Sequence, residues 1–120
     1  MRSMLYLAAA FALVGCGGGT SYSGVTAPPQ MSPSPPVMTT NVGLKNLAFS
    51  PAAIQVTPGA TVQFTNNDGI EHNITFSASS VSDPIDFSTG TRSVVMPTTT
   101  GTYAYHCTIH AGMAGTIAVQ

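Results

Sequence analysis

The chain has 120 residues, of which only 6% are charged, and its formal net charge at pH 7 is −1. This length allows one compact domain with some residues left outside it. The charge balance excludes nucleic acid as a partner, because proteins that bind nucleic acid present a basic face to the phosphates.

The N-terminal segment has the pattern of an export signal. Arg2 is followed by an apolar run from Met4 to Val14, which is too short for a transmembrane helix of about 20 residues. The run ends in Leu-Val-Gly-Cys, and this ending resembles the acylation site of bacterial lipoproteins. We therefore predict that residues 1–15 are a lipoprotein signal peptide and that Cys16 carries a lipid anchor. The protein would then be exported and held at a bacterial membrane, on the periplasmic or cell-surface side. An ordinary cleaved signal, in which Cys16 has no role, is the alternative.

Residues 16–40 are predicted to form a disordered tether behind the lipidated Cys16. They hold five of the nine prolines of the chain, together with many glycines, serines and threonines. A segment of this composition buries too little apolar area to offset the entropy of ordering it. The second cysteine, Cys107, lies among residue types that bind metals, so we expect no disulfide between the two.

From residue 41 to residue 120 the sequence changes to short alternating runs separated by turn residues. Such runs, without helical periodicity, predict β-strands, here at 42–49, 54–56, 61–65, 72–76, 92–96, 102–107 and 116–119. Roughly seven or eight short strands at this spacing favour an antiparallel sandwich or barrel. A domain of about 80 residues is small for a core without cross-links, and a bound metal would help to stabilise it.

Three candidate metal donors share one short segment, Cys107 to Met113, with the spacing C-x2-H-x2-M. His72 begins a predicted strand that can lie beside this segment in a sandwich. Two imidazoles, one thiolate and one weakly binding thioether form the ligand set of a mononuclear electron-transfer copper site. Taken singly, each residue is more simply explained as a core residue or a satisfied polar one. Taken together, His72, Cys107, His110 and Met113 predict one copper ion per chain.

His106 is excluded from this set of ligands. It precedes Cys107 on the same predicted strand, and side chains at adjacent strand positions point to opposite faces. If Cys107 faces the metal, His106 therefore faces away from it.

Several stretches of the predicted domain share their pattern with one family of small proteins. They extend from about Leu47 to Val119 and comprise residues 49–56, 58–68, 72–73 and 101–119. With these residues the chain resembles the cupredoxins, the small blue-copper proteins. The resemblance implies an all-β, Greek-key β-sandwich of seven to eight strands, a one-electron carrier rather than an enzyme, and the short ligand loop of amicyanin. Phe64 departs from the family, since many relatives have tryptophan there, and this difference should affect packing rather than copper.

The resemblance also implies roles for individual residues. His72, Cys107 and His110 would be the trigonal ligands and Met113 the weak axial ligand. Asn73 would form a hydrogen bond to Thr108, the residue after Cys107, and so fix the distance between the two ligand-bearing segments. A plain amide at a strand edge is the alternative for Asn73.

We expect a monomer whose partners are redox proteins that dock near His110. The docking surface would be a small uncharged patch formed by Ile70, Ile109, Ala111, Met113 and Ala114, although an inward-facing Ile109 is an open alternative. A copper-binding carrier or storage lipoprotein without an electron-transfer role is the alternative function. A copper enzyme would need further histidine-rich sites, and His106 is the only histidine left over.

Overall fold

The computed structural model describes residues 34–120. These residues form nine β-strands in two sheets, and no helix among them is long and apolar enough to cross a membrane. The first sheet has the spatial order β1 (Val37–Met38), β4 (Ala53–Val56), β9 (Ala114–Val119), β8 (Gly101–His106) and β6 (Thr75–Phe76). The second has the order β3 (Ala48–Ser50), β2 (Asn41–Lys45), β5 (Thr61–Asn66) and β7 (Gly90–Val95). The predicted all-β sandwich is confirmed.

Both sheets are mixed, whereas the sequence pattern favoured antiparallel strands. Strand β2 pairs in parallel with β5, and β4 pairs in parallel with both β1 and β9. The chain crosses between the sheets, because β4 of the first sheet separates β3 and β5 of the second along the sequence. Parallel neighbours require such crossover connections, and strand alternation alone does not reveal them.

Strand β1 lies within residues 16–40, the segment predicted as a tether. Val37 and Met38 pair with Ile54 and Gln55 of β4, so strand pairing begins before residue 41. The strand has two exposed residues at a sheet edge, too few to give an alternating pattern next to prolines. Cys16 and residues 1–33 lie outside the described residues, so the signal peptide and the lipid anchor stay predictions.

A tight hairpin divides the predicted strand 42–49 into β2 and β3. Asn46 and Leu47 have positive φ angles of 55° and 57°, as in the type I′ turns that join adjacent strands. Asparagine tolerates this conformation, whereas leucine adopts it at a cost of about 1–2 kcal/mol. The carboxylate of Asp68 accepts hydrogen bonds from both backbone N–H groups, at 2.6 and 3.1 Å. This contact helps to offset the cost, and it comes from a distant part of the sequence.

The core between the sheets is built around Tyr105. Its ring packs edge-to-face against Phe49 at 4.8 Å and Phe64 at 5.4 Å, and lies 5.4 Å from Phe76. All four rings are buried, and such aromatic pairs stabilise a core beyond their buried area. Tyr105 and Cys107 are both buried while the residue between them is exposed. The aromatic core therefore holds the strand that presents Cys107.

Candidate metal centre

Three candidate metal donors come together in the described part of the chain: His72, Cys107 and His110. The Nδ1 atoms of His72 and His110 are 3.1 Å apart. Cys107 Sγ lies 3.7 Å from His110 Nδ1 and 4.0 Å from His72 Nδ1. A circle through these three atoms has a radius of about 2.1 Å, close to the bond lengths that imidazole nitrogen and thiolate sulfur make to a metal ion. The triangle therefore fits one metal ion.

Met113 lies at the end of the same loop and is buried. The Cys107 N–H donates to the Met113 carbonyl at 2.9 Å, and the Met113 N–H donates to the His110 carbonyl at 3.4 Å. Gly112 has a φ of 82°, a conformation that glycine adopts without steric cost. The loop is thus folded back on itself by its own backbone. It carries Cys107, His110 and the buried Met113, and two imidazoles, a thiolate and a thioether are a donor set that suits copper.

The donors differ in their access to solvent. His72 is completely buried and Cys107 is 4% exposed, whereas His110 is partly exposed. The His72 and His110 rings lie 4.7 Å apart in an edge-to-face arrangement. Water is therefore kept from two of the three donors, and the His110 ring is the one that reaches the surface.

His72 does not begin a continuous strand, contrary to the prediction for residues 72–76. It forms an isolated bridge with Phe87, in which the two backbones exchange hydrogen bonds of 3.1 and 3.0 Å. Strand β6 starts only at Thr75. Residues 72–74 are all buried, so they do not have the alternating burial of a strand with one solvent face. The partner Phe87 lies in a stretch that the sequence pattern left irregular.

Asn73 joins the two segments that carry the donors. Its Nδ2 donates to Thr108 Oγ1 at 2.7 Å, and the Thr108 N–H donates to Asn73 Oδ1 at 2.8 Å. The resemblance to cupredoxins implied a hydrogen bond between these residues, and the structure contains two. They link the residue after His72 to the residue after Cys107 and so set the separation of the two segments.

Asp68 contacts the donor cluster, and the sequence pattern did not predict this contact. Its Oδ2 lies 2.9 Å from His72 Nε2. A carboxylate only accepts hydrogen bonds, so this contact requires a proton on His72 Nε2, and Nδ1 is the ring nitrogen on the side of Cys107 and His110. One signal could have revealed Asp68. Histidines that bind metals generally donate their other N–H to a carboxylate or a carbonyl, and Asp68 lies four residues before His72.

The surroundings of Asp68 keep it ionised at neutral pH. Partial burial raises the pKa of its carboxyl group, but hydrogen bonds from the Asn46 and Leu47 backbone and from His72 outweigh this effect. The pKa of Asp68 therefore lies below its ordinary value of 3.8.

Asn66 holds the loop between β5 and His72. Its Nδ2 donates to the carbonyls of Ile70 and Phe87 at 2.8 and 2.9 Å. Its Oδ1 accepts the Asp68 N–H at 3.0 Å. Asn66 is 7% exposed; its bond to the Phe87 carbonyl is buried and the other two are partly buried. They restrain the backbone of the loop that contains Asp68 and leads to His72.

The structure corrects one residue of the predicted docking patch. Met113 is buried and cannot belong to it. Ile70 and Ile109 are 45% and 43% exposed, and Ala111 and Ala114 are exposed as well. We call these four residues the apolar patch.

His106 lies outside the donor cluster. It is exposed, while Cys107 beside it is buried, and it pairs with Thr75 in the ladder between β6 and β8. The neighbouring side chains of the strand thus face opposite ways.

Comparisons of sequence point to one family. The family described as "Copper binding proteins, plastocyanin/azurin family" matches residues 36–120. The plastocyanin of Ulva prolifera is 39% identical over 87 residues, which cover 62% of this chain and 89% of that protein. The plastocyanin of Daucus carota is 35% identical over 85 residues, which cover 61% of this chain and 88% of that protein.

Solved structures give the same result for the fold. A Cu(I) form of an amicyanin variant superposes with a TM-score of 0.60 at 26% identity, covering 67% of this chain and 80% of that chain. A purple cupredoxin from Nitrosopumilus maritimus also has a TM-score of 0.60. Its identity is 23% over 67% of this chain and 98% of that chain, which is evidence for the fold alone.

Proposed function

The chain belongs to the plastocyanin/azurin family of copper-binding proteins, and we propose that it is a one-electron carrier anchored to a bacterial membrane. Plastocyanin-like and amicyanin-like cupredoxins are electron carriers and not enzymes. The proposed copper ligands are His72, Cys107, His110 and Met113. The lipid anchor is assigned to Cys16, with the copper domain on the periplasmic or cell-surface side.

The triangle formed by His72 Nδ1, His110 Nδ1 and Cys107 Sγ carries this proposal. Its dimensions fit one ion, and its donors are those of an electron-transfer copper site. Bound copper would supply a Cu(II)/Cu(I) couple, since sulfur donors suit Cu(I) and imidazole suits both oxidation states.

The protein's own contribution is to keep these donors in place. The Cys107–Met113 loop is held by its internal backbone bonds, and the bonds between Asn73 and Thr108 hold His72 at a fixed distance from that loop. A site that does not rearrange on gaining or losing an electron has a low barrier to electron transfer. The rigid support of the donors therefore favours this function.

His110 is the proposed point of electron entry and exit. Its ring is the partly exposed donor, and the apolar patch supplies an uncharged surface for redox proteins. Brief encounters between redox proteins bury little surface, so a patch of four apolar side chains is sufficient for weak docking.

A copper carrier or storage protein without an electron-transfer role is the second candidate. Such a protein tolerates a loose, accessible site from which copper can leave. The burial of His72 and Cys107 and the hydrogen bonds around them favour the electron carrier instead.

The visible absorption spectrum of the copper-loaded protein tests this function. We expect an intense blue colour from charge transfer between the Cys107 thiolate and Cu(II), and a reversible one-electron couple in voltammetry. Cys107→Ser should abolish the colour, whereas His106→Ala should keep it because His106 faces away from the site. A colourless Cu(II) complex of the wild-type protein would reject the electron carrier in favour of the copper carrier.

Expression of the full chain in a bacterium tests the anchor. We expect the wild-type protein to incorporate labelled fatty acid and to sediment with membranes, and Cys16→Ser to do neither. Protease treatment of intact cells then distinguishes the periplasm from the cell surface. An unlabelled wild-type protein would contradict the lipoprotein assignment while leaving the copper site untouched.

A further inference from the structure

We propose that Asp68 is a positioning residue for His72 that holds the imidazole in its metal-binding tautomer and lowers the reduction potential of the copper site. This inference rests on the proposed copper site.

Asp68 is the partner of the His72 ring nitrogen that does not face the donor triangle. Nδ1 of His72 belongs to the donor triangle, 3.1 Å from His110 Nδ1. Nε2 on the opposite side of the ring lies 2.9 Å from Asp68 Oδ2. The His72 side chain is completely buried, so bulk water does not compete for Nε2. The Asp68 carboxylate thus fixes both the proton position and the orientation of the ring.

The carboxylate is itself held in a fixed direction. Oδ1 accepts the Asn46 N–H at 2.6 Å, Oδ2 accepts the Leu47 N–H at 3.1 Å, and the Asp68 N–H donates to Asn66 Oδ1 at 3.0 Å. A side chain restrained at both oxygens and at its own backbone does not swing away from His72. The hairpin between β2 and β3 is therefore connected to the metal site through one carboxylate.

The charge of Asp68 acts on the two copper oxidation states unequally. Its side chain is only 11% exposed, and charges interact more strongly where water is partly excluded. A negative charge on the far side of an imidazole ligand makes that ligand more basic. It stabilises Cu(II), with its higher charge, more than Cu(I), and this difference lowers the reduction potential.

The variant Asp68→Asn removes the charge and keeps the size of the side chain. Because it also disturbs the turn at Asn46 and Leu47, it is best compared within a Leu47→Gly background. Glycine adopts a positive φ without steric cost, so the turn in that background depends less on the carboxylate. Glu71→Gln in the same background is the matched control, since it removes an equal charge from the exposed residue next to His72.

The first measurement is the midpoint potential of the copper-loaded variants. Loss of such a partner typically changes metal affinity by about 10–100-fold. We expect Asp68→Asn to weaken Cu(II) binding relative to Cu(I) by at least about tenfold, which corresponds to a rise of about 59 mV for a one-electron couple. Glu71→Gln should shift the potential much less, because solvent and salt screen an exposed charge.

The second measurement needs no copper. In the metal-free protein, imidazole ¹⁵N spectra should show His72 with its proton on Nε2 alone, and Asp68→Asn should give a mixture of tautomers. The affinity of the metal-free protein for Zn²⁺ should fall by about 10–100-fold in the variant. The tautomer of His72 in the wild-type protein tests the inference by itself, so the test does not require the variant to fold.

The outcomes separate this inference from the proposed function. A proton on Nδ1 of wild-type His72 would overturn the role of Asp68. So would a potential that Asp68→Asn leaves unchanged or shifts no more than Glu71→Gln does. A wild-type protein without a blue, reversible copper site would instead reject the proposed function, and the tautomer and Zn²⁺ measurements would still decide whether Asp68 positions His72.

Discussion

The two segments that supply the metal donors are held in different ways. The Cys107–Met113 loop contributes three candidate ligands and is folded by hydrogen bonds within its own backbone. The segment from Asn66 to Asn73 contributes only His72, and polar side chains that reach distant residues hold it. The spacing of the three donors on the short loop is visible in the sequence. The position of the single donor outside it depends on contacts between distant residues, which no spacing in the sequence indicates.

The Tyr105 ring packs against Phe64 and Phe76, which flank the His72 segment in sequence, and lies on the strand that leads to Cys107, so its replacement should have the largest effect. Tyr105→Ala removes a buried ring from the aromatic cluster and should lower the free energy of unfolding by about 3–5 kcal/mol. Urea unfolding of the metal-free domain measures this loss. Tyr105→Phe keeps the ring and should lose far less. If the alanine variant were as stable as the phenylalanine variant, the two segments would not share this core.

Asn66→Ala should weaken the His72 segment and spare the ligand loop. The substitution removes the amide that donates to the carbonyls of Ile70 and Phe87. The free energy of unfolding should fall by about 1–3 kcal/mol. Hydrogen exchange should accelerate at the backbone N–H groups of His72 and Phe87 but not at that of Cys107.

The exposed neighbour Asn67 provides the control for this experiment. Its side chain bonds only the Thr65 carbonyl within the described residues, at 3.2 Å, so Asn67→Ala should change stability by no more than about 0.5 kcal/mol. Equal losses for the two asparagines, or faster exchange in the ligand loop, would contradict the independence of the two segments.

Gly112→Ala should weaken the ligand loop alone. At a φ of 82° a Cβ meets no neighbour within 4 Å, so the cost is one of backbone conformation, about 1–2 kcal/mol. Gly112→Asn should recover part of the loss, because asparagine tolerates positive φ. Thermal unfolding of the metal-free protein compares the two variants, and an asparagine variant less stable than the alanine variant would argue for a steric cause instead.

The bonds between Asn73 and Thr108 should give the smallest effect. A double-mutant cycle with Asn73→Ala and Thr108→Ala should yield a coupling energy of about 1 kcal/mol in urea unfolding. Thr108→Ala keeps the backbone N–H that donates to Asn73 Oδ1, so the cycle reports the bond to Thr108 Oγ1. Additive losses would show that this side-chain bond does not couple the two segments.

The same contrast explains what the sequence could predict. Strands β8 and β9 lie close to the predicted positions, and His72, Cys107 and His110 form one cluster. These features depend on local patterns of aromatic, β-branched and donor residues. The turn at Asn46 and Leu47 was missed because leucine seldom adopts positive φ.

Other features escaped prediction because they depend on distant contacts. The backbone partner of His72 is Phe87, in an irregular stretch, and the partner of its ring is Asp68. The parallel ladders form because the chain crosses between the sheets. Which strands become neighbours cannot be predicted from the local pattern or from the spacing of residues.

The parallel ladder between β4 and β9 has a consequence for the order of folding. Ala53–Val56 pairs with residues 116–119, so β9, the strand after the ligand loop, lies between its hairpin partner β8 and an early segment of the chain. Contacts between residues so far apart in sequence form slowly, typically in milliseconds to seconds for all-β domains. The finished metal site therefore depends on contacts between distant parts of the chain, and the ligand loop alone does not complete it.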